Sequence, residues 1–149
     1  MNKKIWAIIA LIIILPIVWY LISPIFIDIE LDEQAPVNLE ENKGMIILEG
    51  NFKPGNHDVA GKALIIDTRR EKVLRFEDFK TINGPDLFIY LSLDLTNDDF
   101  VDLGRIKATK GNINYNLPEN IDLTKYNKVL IWCRAFRVLF SYAELEKED

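Results

Sequence analysis

The chain has a single cysteine, Cys133, and a single histidine, His57, in 149 residues. One cysteine excludes an internal disulfide framework and a Cys-x-x-Cys redox pair. One thiol and one imidazole cannot complete a four-ligand structural zinc site without carboxylates, so no such site is expected. There is no Gly-x-Ser-x-Gly, no Ser/His/Asp order and no phosphate-cradling glycine loop, which leaves hydrolase and nucleotide chemistry without a basis. Clusters of Lys and Arg interleaved with aromatics are also missing, so a nucleic-acid partner is not expected. No Asn-x-Ser/Thr sequon occurs.

Long apolar sequence is present in one place. After Met1-Asn2-Lys3-Lys4 the chain runs apolar from Ile5 to Ile22 and resumes after Ser23-Pro24 as far as Ile27. A bilayer core of about 30 Å needs about 20 apolar helical residues, so residues 5–27 read as a transmembrane anchor. Trp6 at one end, and Trp19 and Tyr20 toward the other, suit the two interfaces. Lys3 and Lys4 precede the span, and Asp28, Glu30, Asp32 and Glu33 follow it. This asymmetry predicts a cytoplasmic N-terminus, a single pass and an extracytoplasmic remainder at the cell membrane. A cleaved signal peptide is the competing reading. It needs a shorter apolar run and small residues at a cleavage site, which Leu21-Ile22-Ser23-Pro24 does not supply.

The 122 residues after Ile27 suffice for one domain with a core. They hold 23 acidic and 16 basic residues, a net charge of −7. Such a surface is a poor match for anionic lipid heads as well as for nucleic acid. Residues 28–43 are acidic and polar, without helical or strand period, and read as a stalk. From Gly44, short β-rich runs alternate with turns: Met45–Phe52, Val59–Ile66, Val73–Phe76 with Phe79, Leu87–Leu93, Phe100–Ile106 and Ile113–Leu117. Thr109 to Asn112 reads as a turn, Leu123–Tyr126 as a turn or one helical turn, and Lys128–Phe140 as a last long run that Arg137 interrupts. No helical pattern separates these runs, so the expected fold is all-β, an antiparallel sandwich or barrel-like domain over 44–146. Ala143 to Asp149 reads as a frayed charged end, with 147–149 outside the domain.

Taken in order, these runs resemble the DM13 domain family. The resemblance is carried by Gly50-Asn51-Phe52, His57-x-x-x-Gly61-x-Ala63, Leu74-Arg75-Phe76-Glu77-Asp78-Phe79, Asn83-Gly84-Pro85-Asp86-Leu87 and Tyr90-Leu91-Ser92. It continues through Phe100-Val101-Asp102-Leu103-Gly104, Gly111-Asn112-x-Asn114-Tyr115-x-Leu117-Pro118, Tyr126, Ile131-Trp132-Cys133-x-Ala135-Phe136-x-Val138-x-Phe140 and Ala143-x-Leu145. It covers about residues 44–146. The resemblance implies an extracytoplasmic all-β module connected with electron transfer, since such domains accompany cytochrome-like DOMON domains in animal proteins. It also implies a role for Cys133, as a bare thiol or as a residue helping to hold a group such as haem. This chain reads as one anchor and one such domain.

The residues themselves leave two readings of Cys133. Along a strand, Val129, Ile131, Cys133 and Ala135 share one face, and Leu130, Trp132, Arg134 and Phe136 the other. A cysteine among Val, Ile and Ala is a small core residue, and burial makes a thiol inert. Arg134 and Arg137 would favour a thiolate if they fold toward it. A Cys133/His57 pair has the ligand chemistry for haem iron or copper, with Met45 a further sulfur candidate. The competing reading of His57 is an exposed histidine of the Pro54-Gly55-Asn56 turn. The acidic stretch Asp94, Asn97, Asp98, Asp99 and Asp102 offers oxygens for calcium but lacks EF-hand spacing, and reads as a solvated loop.

Two functions follow, with no enzyme class assigned to either. In one, the protein is a redox or electron-transfer accessory in which Cys133 is the thiol or cofactor ligand, His57 a second ligand and a redox protein the partner. In the other it is a non-enzymatic cell-surface binding module with a structural Cys133.

Overall fold

The computed structural model describes residues 2–23, 27–36 and 44–147. Helix α1, Lys3–Ile22, has 20 residues and no buried side chain. At 1.5 Å per residue it is about 30 Å long, the thickness of a hydrocarbon core. It stops before the expected Ile27, where Ser23 N–H donates to the Trp19 carbonyl. It is the one helix among the described residues long and apolar enough to cross a membrane, a property that signal sequences share.

The expected all-β fold takes the barrel-like form. Among the described residues, nine strands make one curled sheet, a half-barrel, after the apolar helix. They are β1 (Glu30–Asp32), β2 (Met45–Pro54), β3 (Val59–Asp67), β4 (Lys72–Thr81), β5 (Leu87–Ser92), β6 (Phe100–Arg105), β7 (Lys110–Asn116), β8 (Lys128–Cys133) and β9 (Val138–Glu144). Their order is β1-β7-β4-β3-β2-β9-β8-β5-β6. All pairs are antiparallel except β1 with β7.

Strand β2 belongs to both halves. Met45 to Asn51 pair with β3, and Phe52 to Pro54 pair with β9. Where it changes partner, Gly50 lies so close to β9 that a Cβ would stand 2.0 Å from the Glu144 carbonyl oxygen. Only glycine lets the two backbones meet there. The curl wraps one apolar core. Phe52 packs edge-on against Phe76 and tilted against Phe79, at 4.8 and 5.0 Å between centroids, and Tyr115 joins Phe76 at 5.2 Å. Leu87, Ile89, Leu91, Val129, Ile131 and Cys133 extend the same cluster from the other half.

Four segments depart from the sequence reading. Glu30–Asp32, inside the expected stalk, is an edge strand running parallel to β7. Glu33 Oε2 accepts from Asn114 N at 2.6 Å, and the Glu33 carbonyl accepts from Arg75 Nη1 at 3.1 Å. The rest of that expected stalk, 37–43, lies outside the described residues. Lys110–Asn112 belongs to β7 rather than to a turn, because Gly111 at φ +112° admits β1 alongside. A Cβ there would stand 2.1 Å from the Leu31 carbonyl oxygen. Lys128–Phe140 is two strands joined by a turn, Arg134–Arg137, in which Arg137 takes φ +54°. The frayed end is shorter than expected: Ala143 and Glu144 close β9, Leu145 is buried, and Glu146 bridges Glu49.

Tyr115 sets an alkaline limit. Burial pushes its phenol up to about 12, partly offset by the Lys107 backbone N–H it accepts. A folded value above the ordinary 10 favours the neutral phenol in the fold. That stabilisation is complete below pH 10 and lost as pH rises from 10 through 12, roughly 2–3 kcal/mol in all. Urea midpoints at pH 8 and pH 11.5 are expected to fall further apart in the native protein than in Tyr115→Phe. Equal losses in the two would show that Tyr115 does not set this limit.

Candidate functional site

Cys133 is the last residue of β8, paired with Leu87 on β5 and Val138 on β9. Strand alternation turns Val129, Ile131 and Cys133 into the core and Leu130 and Trp132 onto the outer face. The thiol is fully buried, at 0 % exposure. Ala135, expected to share its face, lies in the exposed turn because the strand ends at Cys133.

The outer face carries a second cluster. Tyr90, Leu130 and Trp132 pack with Phe88, Leu95, Phe100, Leu139 and Tyr142, and Tyr90 stacks on Phe100 with centroids 4.0 Å apart. Arg134 lies over this cluster. Its guanidinium carbon is 3.3 Å from the Phe88 ring centre, Nε donates to the Tyr90 hydroxyl at 2.6 Å and a terminal nitrogen to Asp102 at 2.5 Å. The Tyr90 hydroxyl, with Asp102 beyond it, holds the guanidinium above its ordinary range. The expectation that Arg134 supports a thiolate is therefore not met, because its side chain points to the face opposite the sulfur.

His57 sits in the β2–β3 connection, which folds back over β9. Its backbone N–H donates to the Phe140 carbonyl at 3.1 Å, and its half-buried ring lies on the Phe140 ring with centroids 3.9 Å apart. Asn56 holds the same connection through two bonds to the Leu139 carbonyl. Cys133 and His57 thus reach the same end of β9, one opposite Val138 and the other over Phe140. Met45 lies far off, on β2 opposite Asp67.

These residues do not fit a haem or copper centre. The sulfur is sealed in apolar packing and the imidazole is stacked on Phe140. Among the described residues no group of three or more His, Cys, Asp or Glu is placed to hold a metal ion. An apolar hollow of about 470 Å³ does exist, lined by Ile47, Leu48, Leu123 and Leu145 among others. It lies at the opposite end of the sheet, where β2 begins and the β7–β8 connection runs.

The acidic loop is occupied by its own donors. Asp94 accepts from the Thr96 hydroxyl and N–H, which hold its carboxyl below the ordinary range. Asp99 is lowered by Lys125, at 2.7 Å, and by the Tyr126 hydroxyl. Buried polar side chains also escaped the sequence reading, Ser141 among them. The Ser141 hydroxyl is buried without a hydrogen-bond partner. It lies directly opposite Ile131, and the irregularity between Ile131 and Trp132 turns both Phe140 and Ser141 inward. A serine inside an apolar strand run was the only signal for it.

A half-barrel that buries its thiol at one strand end, after an apolar helix, defines a small β-module. The DM13 family model, described as electron transfer DM13, matches residues 51–145, and the chain belongs to this family. No curated protein and no solved structure is similar enough to this chain to count as a match.

Truncating Cys133 measures its packing. Cys133→Ala is expected to cost about 1 kcal/mol of stability, and Cys133→Ser more, because its hydroxyl would be buried without a partner. Urea unfolding of both variants checks this. A serine variant as stable as the alanine variant would mean the sulfur lies in a more polar setting.

Proposed function

We propose that this protein is a membrane-tethered electron-transfer accessory whose DM13 domain faces outward, with Cys133 as a bare redox thiol. The family match supports electron transfer. Lys3 and Lys4 before α1, and the acidic residues after it, support an outward domain. The observation that carries the thiol role is the position of Cys133 at the end of β8, next to an exposed turn. That turn holds Arg137 in a left-handed conformation, which costs a non-glycine residue roughly 1 kcal/mol. Local opening of such a turn needs far less free energy than unfolding the domain, and it would present the sulfur.

The chemistry is reversible thiol oxidation by a peroxide. The O–O bond breaks, one oxygen joins the sulfur, and the other leaves as water. The thiol loses two electrons, which the peroxide gains. A thiol reductant then attacks the sulfenic sulfur and releases water, and a second thiol returns Cys133 to its reduced form. No step passes through a metal or haem.

The complete burial of the sulfur favours a second reading, a cell-surface binding module in which Cys133 is core. Dilute hydrogen peroxide separates the two. The redox reading expects the folded protein to gain one oxygen at Cys133, reversed by a thiol reductant and absent in Cys133→Ala. Oxidation only after denaturation would overturn it in favour of the binding module.

A further inference from the structure

The strand directions gather one set of connections at one end of the half-barrel. Val59 pairs with Thr81, Lys80 with Lys110, Leu87 with Cys133 and Phe88 with Arg105. The β2–β3, β4–β5, β6–β7 and β8–β9 connections therefore lie together. Hydrogen bonds tie them: Thr81 N to the Thr109 carbonyl at 2.9 Å, Arg134 N to Asp86 at 3.0 Å and His57 N to Phe140 at 3.1 Å. Cys133 and His57 are both at this end.

The chain also comes from the helix to this same end. Ile29 is bonded on both sides, its N–H donating to the Thr109 hydroxyl at 3.0 Å and its carbonyl accepting from Thr109 N at 2.8 Å. Asn83 Nδ2 donates to the Ile27 carbonyl at 3.2 Å. Four residues separate Ile27 from Ile22, the last residue of α1, and the five chain steps between them span at most about 18 Å when fully extended. The headgroup layer alone takes up about 5–8 Å of that distance. Lys72, at the far end of β4 and nine residues from Thr81, lies up to about 30 Å along the strand from this end.

Exposure follows the same polarity. Six large apolar side chains are exposed outside α1 among the described residues, and four are at this end: Ile27 (52 %), Ile29 (43 %), Ile82 (39 %) and Phe136 (56 %). Phe136 and Ile82 stand on connections and keep much of their side chains exposed, and Arg137 follows Phe136 in the same exposed turn. An apolar tip beside an arginine suits the headgroup boundary of a bilayer.

We infer that the Cys133–His57 end of the half-barrel rests on the bilayer that α1 crosses, with Ile82 and Phe136 as its apolar contacts. The inference rests on α1 being retained as the anchor. It deepens the proposed function, because whatever exchanges electrons with Cys133 then meets it at the membrane surface. The acidic surface of the domain favours zwitterionic over anionic lipid at this contact.

The full chain reconstituted in phosphatidylcholine vesicles, with a fraction of lipid carrying a headgroup diazirine, tests this by photolysis and peptide mapping. Adducts are expected near the end of α1 and on the 82–86 and 134–137 segments, several-fold above those on 68–71 and 93–99. In Ile82→Asp/Phe136→Asp the domain adducts are expected to fall several-fold while those on α1 persist. Adducts on α1 alone would overturn the docking and leave the anchor standing. Adducts spread evenly over the domain would also overturn the docking. Their absence from α1 as well would overturn the anchor reading, and the docking with it.

Discussion

The crossing of β2 from one half of the sheet to the other is the constraint on which the rest depends. At Gly50 the strand approaches β9 too closely for any side chain, and this contact lets nine strands curl instead of forming a flat sheet with two exposed faces. Phe52, two residues further on, carries the join inward and meets Phe76 and Phe79. Burial of such rings is the main driving force for a domain of this size. The curl also decides which residues become interior. Without it, Val129, Ile131 and Cys133 would have no opposing face.

The same geometry divides β8 into two chemical environments. Inward, Cys133 joins an apolar core; outward, Trp132 and the turn residue Arg134 meet an aromatic surface that includes Phe88 and Tyr90. A guanidinium over a ring, hydrogen-bonded to a phenol and paired with Asp102, is fixed in place and withdrawn from the sulfur. The thiol is therefore protected by packing without electrostatic activation from Arg134. What sets it apart from an ordinary core cysteine is its place at the end of the strand, one residue from an exposed turn.

Much of the fold was legible in the sequence because β-rich runs and turn residues punctuate it. Asn83-Gly84-Pro85-Asp86 marked the start of β5 correctly, and the all-β class followed from the spacing of the runs. The β8–β9 turn was hidden because Arg134-Ala135-Phe136-Arg137 has no Gly, Pro or Asn, and the left-handed residue is an arginine. β1 was hidden for a different reason. Three residues in an acidic segment carry no periodicity, and their pairing depends on Gly111, some 80 positions away. Cys133 and His57 could be singled out by their rarity. That β9 would bring them to one end, with Phe140 taking the imidazole, depends on long-range register that local pattern does not encode. The face occupied by Arg134 followed from alternation once the end of β8 was known.

The role of Cys133 turns on whether its sulfur is reached by local opening of the β8–β9 turn or only by unfolding the half-barrel. Maleimide labelling of the native full-length chain across a series of low urea concentrations measures this directly. A redox thiol at this strand end requires a labelling rate that depends weakly on urea, with an opening free energy well below that of global unfolding. A rate with the full urea dependence of unfolding, and the same free energy, would contradict it and make Cys133 a core residue alone.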